Sequence, residues 1–263
     1  MSVTADLGYG LPNDWDQARR RLELLAACHD DASRRRATAL GVGPGWRCLD
    51  AGAGQGSFAR WLASQVGPDG HVVAADMDVT LMADVDEPNF EVREMDLTRD
   101  ELPRDAYDLV HTRLALMHIP ERDEVLTRLA AAVRPGGLLL LEEDDGYPLL
   151  ATATGAYRAA WEVFLPIMAA GGTDPAWARD LPQRLGALGL VDVDAEAGAQ
   201  LFRGGSITAE LWSLTWLQVR ERGHAMGLAV EDLDRGRAVL GDPARWFHGP
   251  TMIAAWGRRP AAG

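Results

Sequence analysis

Leu49-Asp50-Ala51-Gly52-Ala53-Gly54-Gln55-Gly56-Ser57-Phe58 is the stretch on which the reading of the fold turns. Arg47–Ala51 reads as a buried strand. Ser57–Val66 reads as a helix, with Phe58, Trp61, Leu62 and Val66 on one face. Glycines between a strand and a helix let the chain turn tightly and let a ligand approach the backbone. A dinucleotide-binding turn would read G-x-G-x-x-G, but here the third glycine is Gly56 and position 57 is Ser. Asp50 stands two residues before Gly52, so its carboxylate should repel a pyrophosphate and attract an ammonium or sulfonium. No Gly-Lys-Ser/Thr is present, which excludes a P-loop.

Outward from this turn the elements alternate. His71–Ala75, Asn89–Met95, Tyr107–Thr112 and Leu138–Glu142 are predicted strands. Glu121–Val133 is a predicted helix with Val125, Leu126, Leu129 and Val133 on one side, and Arg134-Pro-Gly-Gly137 stops it. Strands alternating with helices at this spacing imply right-handed βαβ units and a parallel sheet covered on both faces. Upstream, a helix capped by Asn13 or Asp14 is expected, with Leu22, Leu25, Ala26 and Leu40 on its apolar side and Arg34-Arg35-Arg36 on its polar side. Gly41-Val-Gly-Pro-Gly45 breaks it. Downstream, Trp161, Phe164, Leu165 and Met168 make one helical face, kinked at Pro166, and Trp177, Leu181, Leu185 and Leu188 make another. Val191–Ala195 reads as a strand, residues 208–222 and 231–240 as helices, and Thr251–Trp256 as a last strand. No repeat or linker interrupts the chain, which reads as one domain over 1–263. Its parts are a helical lid (1–40), a binding core (41–145), and a remainder (146–263) whose inserted helices build a second pocket.

Composition narrows the function. The 263 residues are 47% apolar and 25% charged, which is ordinary for a globular protein. With 26 Lys and Arg against 39 Asp and Glu, the net charge of −13 disfavours nucleic-acid partners and anionic membranes. Cys28 and Cys48 form neither a CxxC pair nor a zinc spacing, so a reducing cytoplasm is expected. The first residues do not read as a signal peptide, and no apolar run is long enough for a membrane span. Nine tryptophans suit either core packing or an aromatic-lined pocket.

Asp50-x-Gly52-x-Gly54-x-Gly56 resembles the first motif of class I S-adenosylmethionine-dependent methyltransferases. The likeness continues in order through His71-Val-Val-Ala-Ala-Asp76, Met95-Asp96-Leu97, Tyr107-Asp-Leu-Val-His-Thr-Arg113 and Arg134-Pro-Gly-Gly-Leu-Leu-Leu-Leu141. It covers residues 40–145. The resemblance implies a Rossmann-like α/β fold whose seven-stranded, mostly parallel sheet has its last strand antiparallel. It also implies S-adenosyl-L-methionine as cofactor, S-adenosyl-L-homocysteine as product, and no metal. Gly52, Ala53, Gly54, Gln55 and Gly56 would form the cofactor turn. Asp76 would accept the ribose hydroxyls, its distance from Gly56 suiting that role, or be a surface acid. Met77 would pack on the adenine. Asp96 would accept from the adenine amino group, with the Leu97 N–H beside it, or be a loop acid. Asp50 would orient the methionine ammonium or cap the strand end. Arg113 would meet the methionine carboxylate or line the pocket, against the alternative of a surface arginine.

Transfer of a methyl group from a sulfonium needs orientation and water exclusion rather than a covalent nucleophile. A base is needed only for an acceptor that must lose a proton. His118, just after the fourth strand, is the candidate, against a structural histidine. His111, inside that strand, reads as a core histidine. Glu142-Glu-Asp-Asp145 reads as a solvated loop from which one acid could reach the pocket. Tyr9 could fold over the cofactor, and His224 and His248 have no assigned place. Thr112-Arg113 stands where metal-dependent catechol methyltransferases carry an acid, and the Asn-Pro-Pro-Tyr signature of base-modifying enzymes is absent. Trp212, Trp216 and Val219, like Trp161, Phe164 and Trp246, would line an acceptor pocket or fill the core. The chain is similar to methyltransferases of actinobacterial specialised metabolism, which implies a natural-product acceptor. Rival readings are a cyclase that holds the cofactor without consuming it, a nicotinamide-dependent oxidoreductase, and a protein methyltransferase. A homodimer stays open.

Overall fold

The computed structural model describes residues 11, 14–85 and 87–261. The elements run α1 (Ala18–Ala39), β1 (Arg47–Ala51), α2 (Ser57–Val66), β2 (His71–Asp76), β3 (Phe90–Glu94), β4 (Tyr107–Arg113), α3 (Arg122–Ala132), β5 (Val133–Asp145), α4 (Gly155–Ala169), α5 (Leu181–Ala187), β6 (Val191–Arg203), α6 (Ile207–Gln218), α7 (Arg220–Ala225), α8 (Glu231–Leu240) and β7 (Trp246–Arg258). The seven strands form one sheet in the order β3-β2-β1-β4-β5-β7-β6. The pairings β1–β2, β1–β4, β2–β3 and β4–β5 are parallel. β7 runs against β6: Gly249 lies beside Gln200 and Phe202, whereas Gly257 lies beside Leu190 and Val193. The sheet is therefore mostly parallel with an antiparallel last strand, as the resemblance implied.

Most boundaries fall where periodicity put them, and the departures have local causes. α1 begins at Ala18, whose N–H bonds Trp15 O, so Asp14 does not cap it; Asn13 lies outside the described residues. The predicted helix over 208–222 is broken at Val219 into α6 and α7. β6, an exposed edge strand, runs on to Arg203, and Ala197-Gly198-Ala199 shows no apolar alternation to betray it. β5 already pairs at Val133↔Tyr107 and then shifts register to Leu138↔Leu109, so Arg134-Pro-Gly-Gly137 bulges between them. At its far end β5 continues to Asp145. Glu142, Glu143 and Asp145 are buried there, which corrects the reading of a solvated loop.

By contacts the chain divides into two compact units. The sheet unit comprises residues 29–143, 179–196 and 253–263. Its core packs Phe58, Leu62 and Val66 of α2 against Cys48, Val72, Ala74, Leu109, Leu138 and Leu140. The helical unit comprises residues 1–28, 144–178 and 197–252. It is centred on aromatic rings. Trp161 lies 4.5 Å from Trp212 and 5.7 Å from Trp216, and Tyr157 lies 4.7 Å from Phe247, centroid to centroid. Trp161, Phe164, Trp216 and Val219 are buried in this cluster, which favours the core reading over a pocket lining; Trp246 is exposed.

Candidate active site

The site builds up from the glycine turn. Gly52, Gly54 and Gly56 all take left-handed φ values, 78°, 59° and 76°. A side chain at Gly52 would place its Cβ 2.6 Å from Ala115 Cβ, and one at Gly56 would meet Met82 Sδ at 2.8 Å. The turn therefore needs glycine for conformation and for close packing at once. Four of its backbone N–H groups are already used. Gly52 and Ala53 N–H bond Ala75 O, Gly56 N–H bonds Ala53 O, and Gly54 N–H donates to Asp76 Oδ2 at 2.7 Å. An incoming pyrophosphate would meet the Asp76 carboxylate on Gly54 N–H.

Asp76 closes β2. Its Oδ1 accepts the Asp78 N–H at 3.2 Å, and each oxygen keeps a further lone pair for a ligand hydroxyl. Burial raises its pKa against the pull of these backbone donors. Met77, the next residue, is exposed. Asp96 serves its own turn: Oδ1 accepts the Thr98 N–H at 2.8 Å and the Thr98 hydroxyl at 2.6 Å. The Thr98 bonds lower its pKa. Its Oδ2 lies 3.5 Å from Arg99, and the neighbouring Leu97 is buried.

Asp50 is buried and does not face the turn as an open charge. Its Oδ1 lies 2.7 Å from His111 Nδ1. His111 Nε2 is buried without a hydrogen-bond partner among the described residues, 3.7 Å from Glu142 Oε2. Burial alone would discharge His111, but Asp50 and Glu142 on either side outweigh it and raise its pKa. Glu142 accepts from Arg36 at 2.9 Å and from the Ser33 hydroxyl. Burial opposes its charge, yet His111, Ser33 and Arg36 hold its pKa at about 2. Arg113 is not a surface arginine. It donates to Asp30 Oδ1 and Ser33 Oγ, both at 2.8 Å, and lies 6.0 Å from the centre of the Phe58 ring. Ser57, the first residue after the turn, donates to the same Asp30 oxygen at 3.3 Å. Both ends of the turn are thus tied to α1 through charged side chains.

Sequence reading missed Asp30 and Ser33, and it offered Glu142 only as one of four acids that could reach the pocket. Arg36, assigned to the polar side of α1, is almost buried and bridges Glu142 to Glu196. The signal was available: Asp30, Ser33 and Ala37 continue one helical stripe at i, i+3 and i+7. His118 ends a 3-10 turn, Leu116–His118, directly after β4, and its N–H bonds Ala115 O. Tyr9 lies outside the described residues.

A doubly wound sheet whose glycine turn is bonded to a carboxylate at the end of its second strand fits a nucleoside-binding α/β class. The chain belongs to the methyltransferase domain family, which matches residues 15–202. It is 32% identical over 137 residues to the ubiquinone/menaquinone biosynthesis C-methyltransferase UbiE of Ectopseudomonas mendocina, covering 48% of this chain and 52% of that one. The chain spans about half the length of this relative. In fold it is similar to phosphoethanolamine N-methyltransferase 2 of Haemonchus contortus, solved with phosphomonomethylethanolamine and S-adenosylhomocysteine. That likeness has a TM-score of 0.54 and 17% identity, over 92% of this chain and 52% of that one. The 4+2 cyclase SpnF is similar too, with a TM-score of 0.50 and 17% identity over 97% of this chain and 88% of that one. At these identities the structures speak for the fold alone.

Proposed function

We propose that this protein binds S-adenosyl-L-methionine at the glycine turn and transfers its methyl group to a small organic acceptor, releasing S-adenosyl-L-homocysteine. The observation that carries the reading is the partly desolvated Asp76 carboxylate bonded to Gly54 N–H beside three left-handed glycines. When bound, the cofactor supplies an electrophilic methyl group on a sulfonium. Gly52, Ala53, Gly54, Gln55 and Gly56 would give it a close backbone wall. Asp76 would take the ribose hydroxyls, and Met77 and Leu97 would flank the adenine, with Asp96 beside them. Asp50 would act at one remove, holding the strand end through His111 rather than meeting the ammonium as a free charge. Arg113 would keep α1 against the turn. His118 would accept a proton from an acceptor O–H, N–H or C–H.

The chemistry of this chain asks for no metal, so EDTA should leave turnover unchanged. Cys28 and Cys48 are free thiols, which supports a cytoplasmic setting. No helix among the described residues is long and apolar enough to cross a membrane. The net charge of −13 favours a small molecule over a nucleic acid as acceptor.

Calorimetric titration with S-adenosylhomocysteine tests the reading. Wild type should bind, and Asp76→Ala should lose roughly ten- to a hundredfold in affinity, since hydrogen bonds to a charged group are worth about 1.5–3 kcal/mol. Equal affinity in the two proteins would remove the ribose assignment. The fold likeness to a cyclase supports a second reading, in which the cofactor is held and not consumed. Labelled S-adenosylmethionine incubated with candidate metabolites separates the two: methyl transfer yields labelled product and S-adenosylhomocysteine, and cyclisation yields neither.

A further inference from the structure

The segment that leaves β4 is strained and held from outside. Leu114 has φ 52°, a left-handed conformation that a leucine seldom adopts and that costs of order 1–3 kcal/mol. Such a residue persists only where its surroundings impose it. Two groups of β5 do so. Glu142 O accepts the Leu114 N–H at 2.8 Å. Glu143, fully buried, accepts the Leu116 N–H at 2.8 Å and the Ala115 N–H at 3.3 Å through the same oxygen, Oε1. The turn so held places Ala115 against Gly52, so that a Cβ at Gly52 would lie only 2.6 Å from Ala115 Cβ. It then passes through Leu116 and Met117 to His118.

We infer that Glu143 is a positioning residue: its side chain holds the strained Leu114–Leu116 turn against Gly52, and so sets the wall of the cofactor turn and the place of His118. This rests on the reading above for its functional meaning, but not for its geometry. The two alternate residues of β5 divide the labour. Glu142 faces His111 and α1, whereas Glu143 faces the backbone after β4. A carboxylate suits this task because one oxygen can take two neighbouring N–H groups, as it does at a helix N-terminus. Reach matters more than charge here. Glutamine keeps an oxygen at the same distance, aspartate is one methylene short, and methionine fills the space without an acceptor.

The test measures S-adenosylhomocysteine affinity and amide hydrogen exchange at Ala115 and Leu116 in four variants. Glu143→Gln should stay within about threefold of wild type in both. Glu143→Asp should lose roughly tenfold in affinity and in protection, the scale of one lost buried hydrogen bond. Glu143→Met should lose at least as much, and Leu114→Gly placed in that background should recover most of the affinity, because glycine adopts the left-handed turn without being forced. Should Glu143→Met fail to fold, the order of Gln above Asp still decides. Asp outperforming Gln would show a role for charge and overturn the proposal. So would a Glu143→Met protein with lowered Tm but wild-type affinity and exchange. If wild type itself binds no S-adenosylhomocysteine while the exchange pattern holds, the functional reading falls and the positioning role stands.

Discussion

In the helical unit, Trp161, Trp216, Phe164 and Tyr157 fill the interior with rings. In the sheet unit, the space beneath the second half of α1 is filled instead by Asp30, Ser33, Arg36, Arg113, His111, Asp50 and Glu142. Both interiors are closed to water, but they are stabilised differently. Ring burial is non-directional and tolerates substitution by other apolar groups of similar volume. A buried ionic cluster is held by specific partners, each of which leaves an unpaired charge when its neighbour is removed. The difference matters because the second interior borders the glycine turn, where geometry must be fixed.

The largest effects should come from single truncations in either interior. Trp161→Ala should lower unfolding free energy by about 3–5 kcal/mol in urea titration. Glu142→Ala should cost a comparable ~3–5 kcal/mol, because Arg36 and His111 lose their counter-charge. The contrast sharpens with apolar replacement: Trp161→Phe should recover part of the loss, whereas Glu142→Leu should recover none. A Glu142→Leu protein as stable as wild type would break the distinction.

Acidity separates two buried histidines of the sheet unit, His29 and His111. Burial and the Arg113 charge lower the His29 pKa to about 3, so the native state excludes a proton that the unfolded chain binds below pH 6.5. Stability contributed by neutral His29 is present above pH 6.5 and drains away as pH falls toward 3. Glu142 adds to this limb only below its ordinary 4.5, down to about 2. His111 has the opposite sign. With its pKa raised, its contribution is present below pH 6.5 and is lost as pH rises through the elevated value. His29→Gln should flatten the stability profile between pH 6.5 and 4.5, and His111→Gln should flatten it just above 6.5. Chemical denaturation across pH checks both, and identical profiles for the two variants would contradict the assigned directions.

The smallest effect is expected at the surface. Arg20 pairs with both oxygens of Glu210, at 2.8 and 3.0 Å, but about half of each side chain is exposed. Arg20→Ala should change stability by less than about 1 kcal/mol. A loss as large as that of Glu142→Ala would erase the difference between exposed and buried charge on which the comparison depends.

What the sequence disclosed follows the same division. Strand and helix periods, the glycine turn and the Asp76 position were legible because apolar spacing and left-handed turns leave a local mark. The ring cluster was legible as a stripe, though not as core or pocket. The ionic interior was not, because Arg36 and Glu142 look like ordinary surface charges until α1 and β5 are brought together. The buried end of β5 was hidden for the same reason: Glu142-Glu-Asp-Asp145 has the composition of a solvated loop. Asp50 was read as orienting the methionine ammonium or capping the strand end, and its partner His111 was not foreseen because the two lie 61 residues apart in the chain.

What the glycine turn admits decides the function of this protein. Parallel calorimetric titrations of the wild-type protein with S-adenosylmethionine and with NAD decide it. Saturable binding of S-adenosylmethionine, with no heat from NAD, is the result these geometries demand. Binding of NAD with S-adenosylmethionine excluded would contradict them outright.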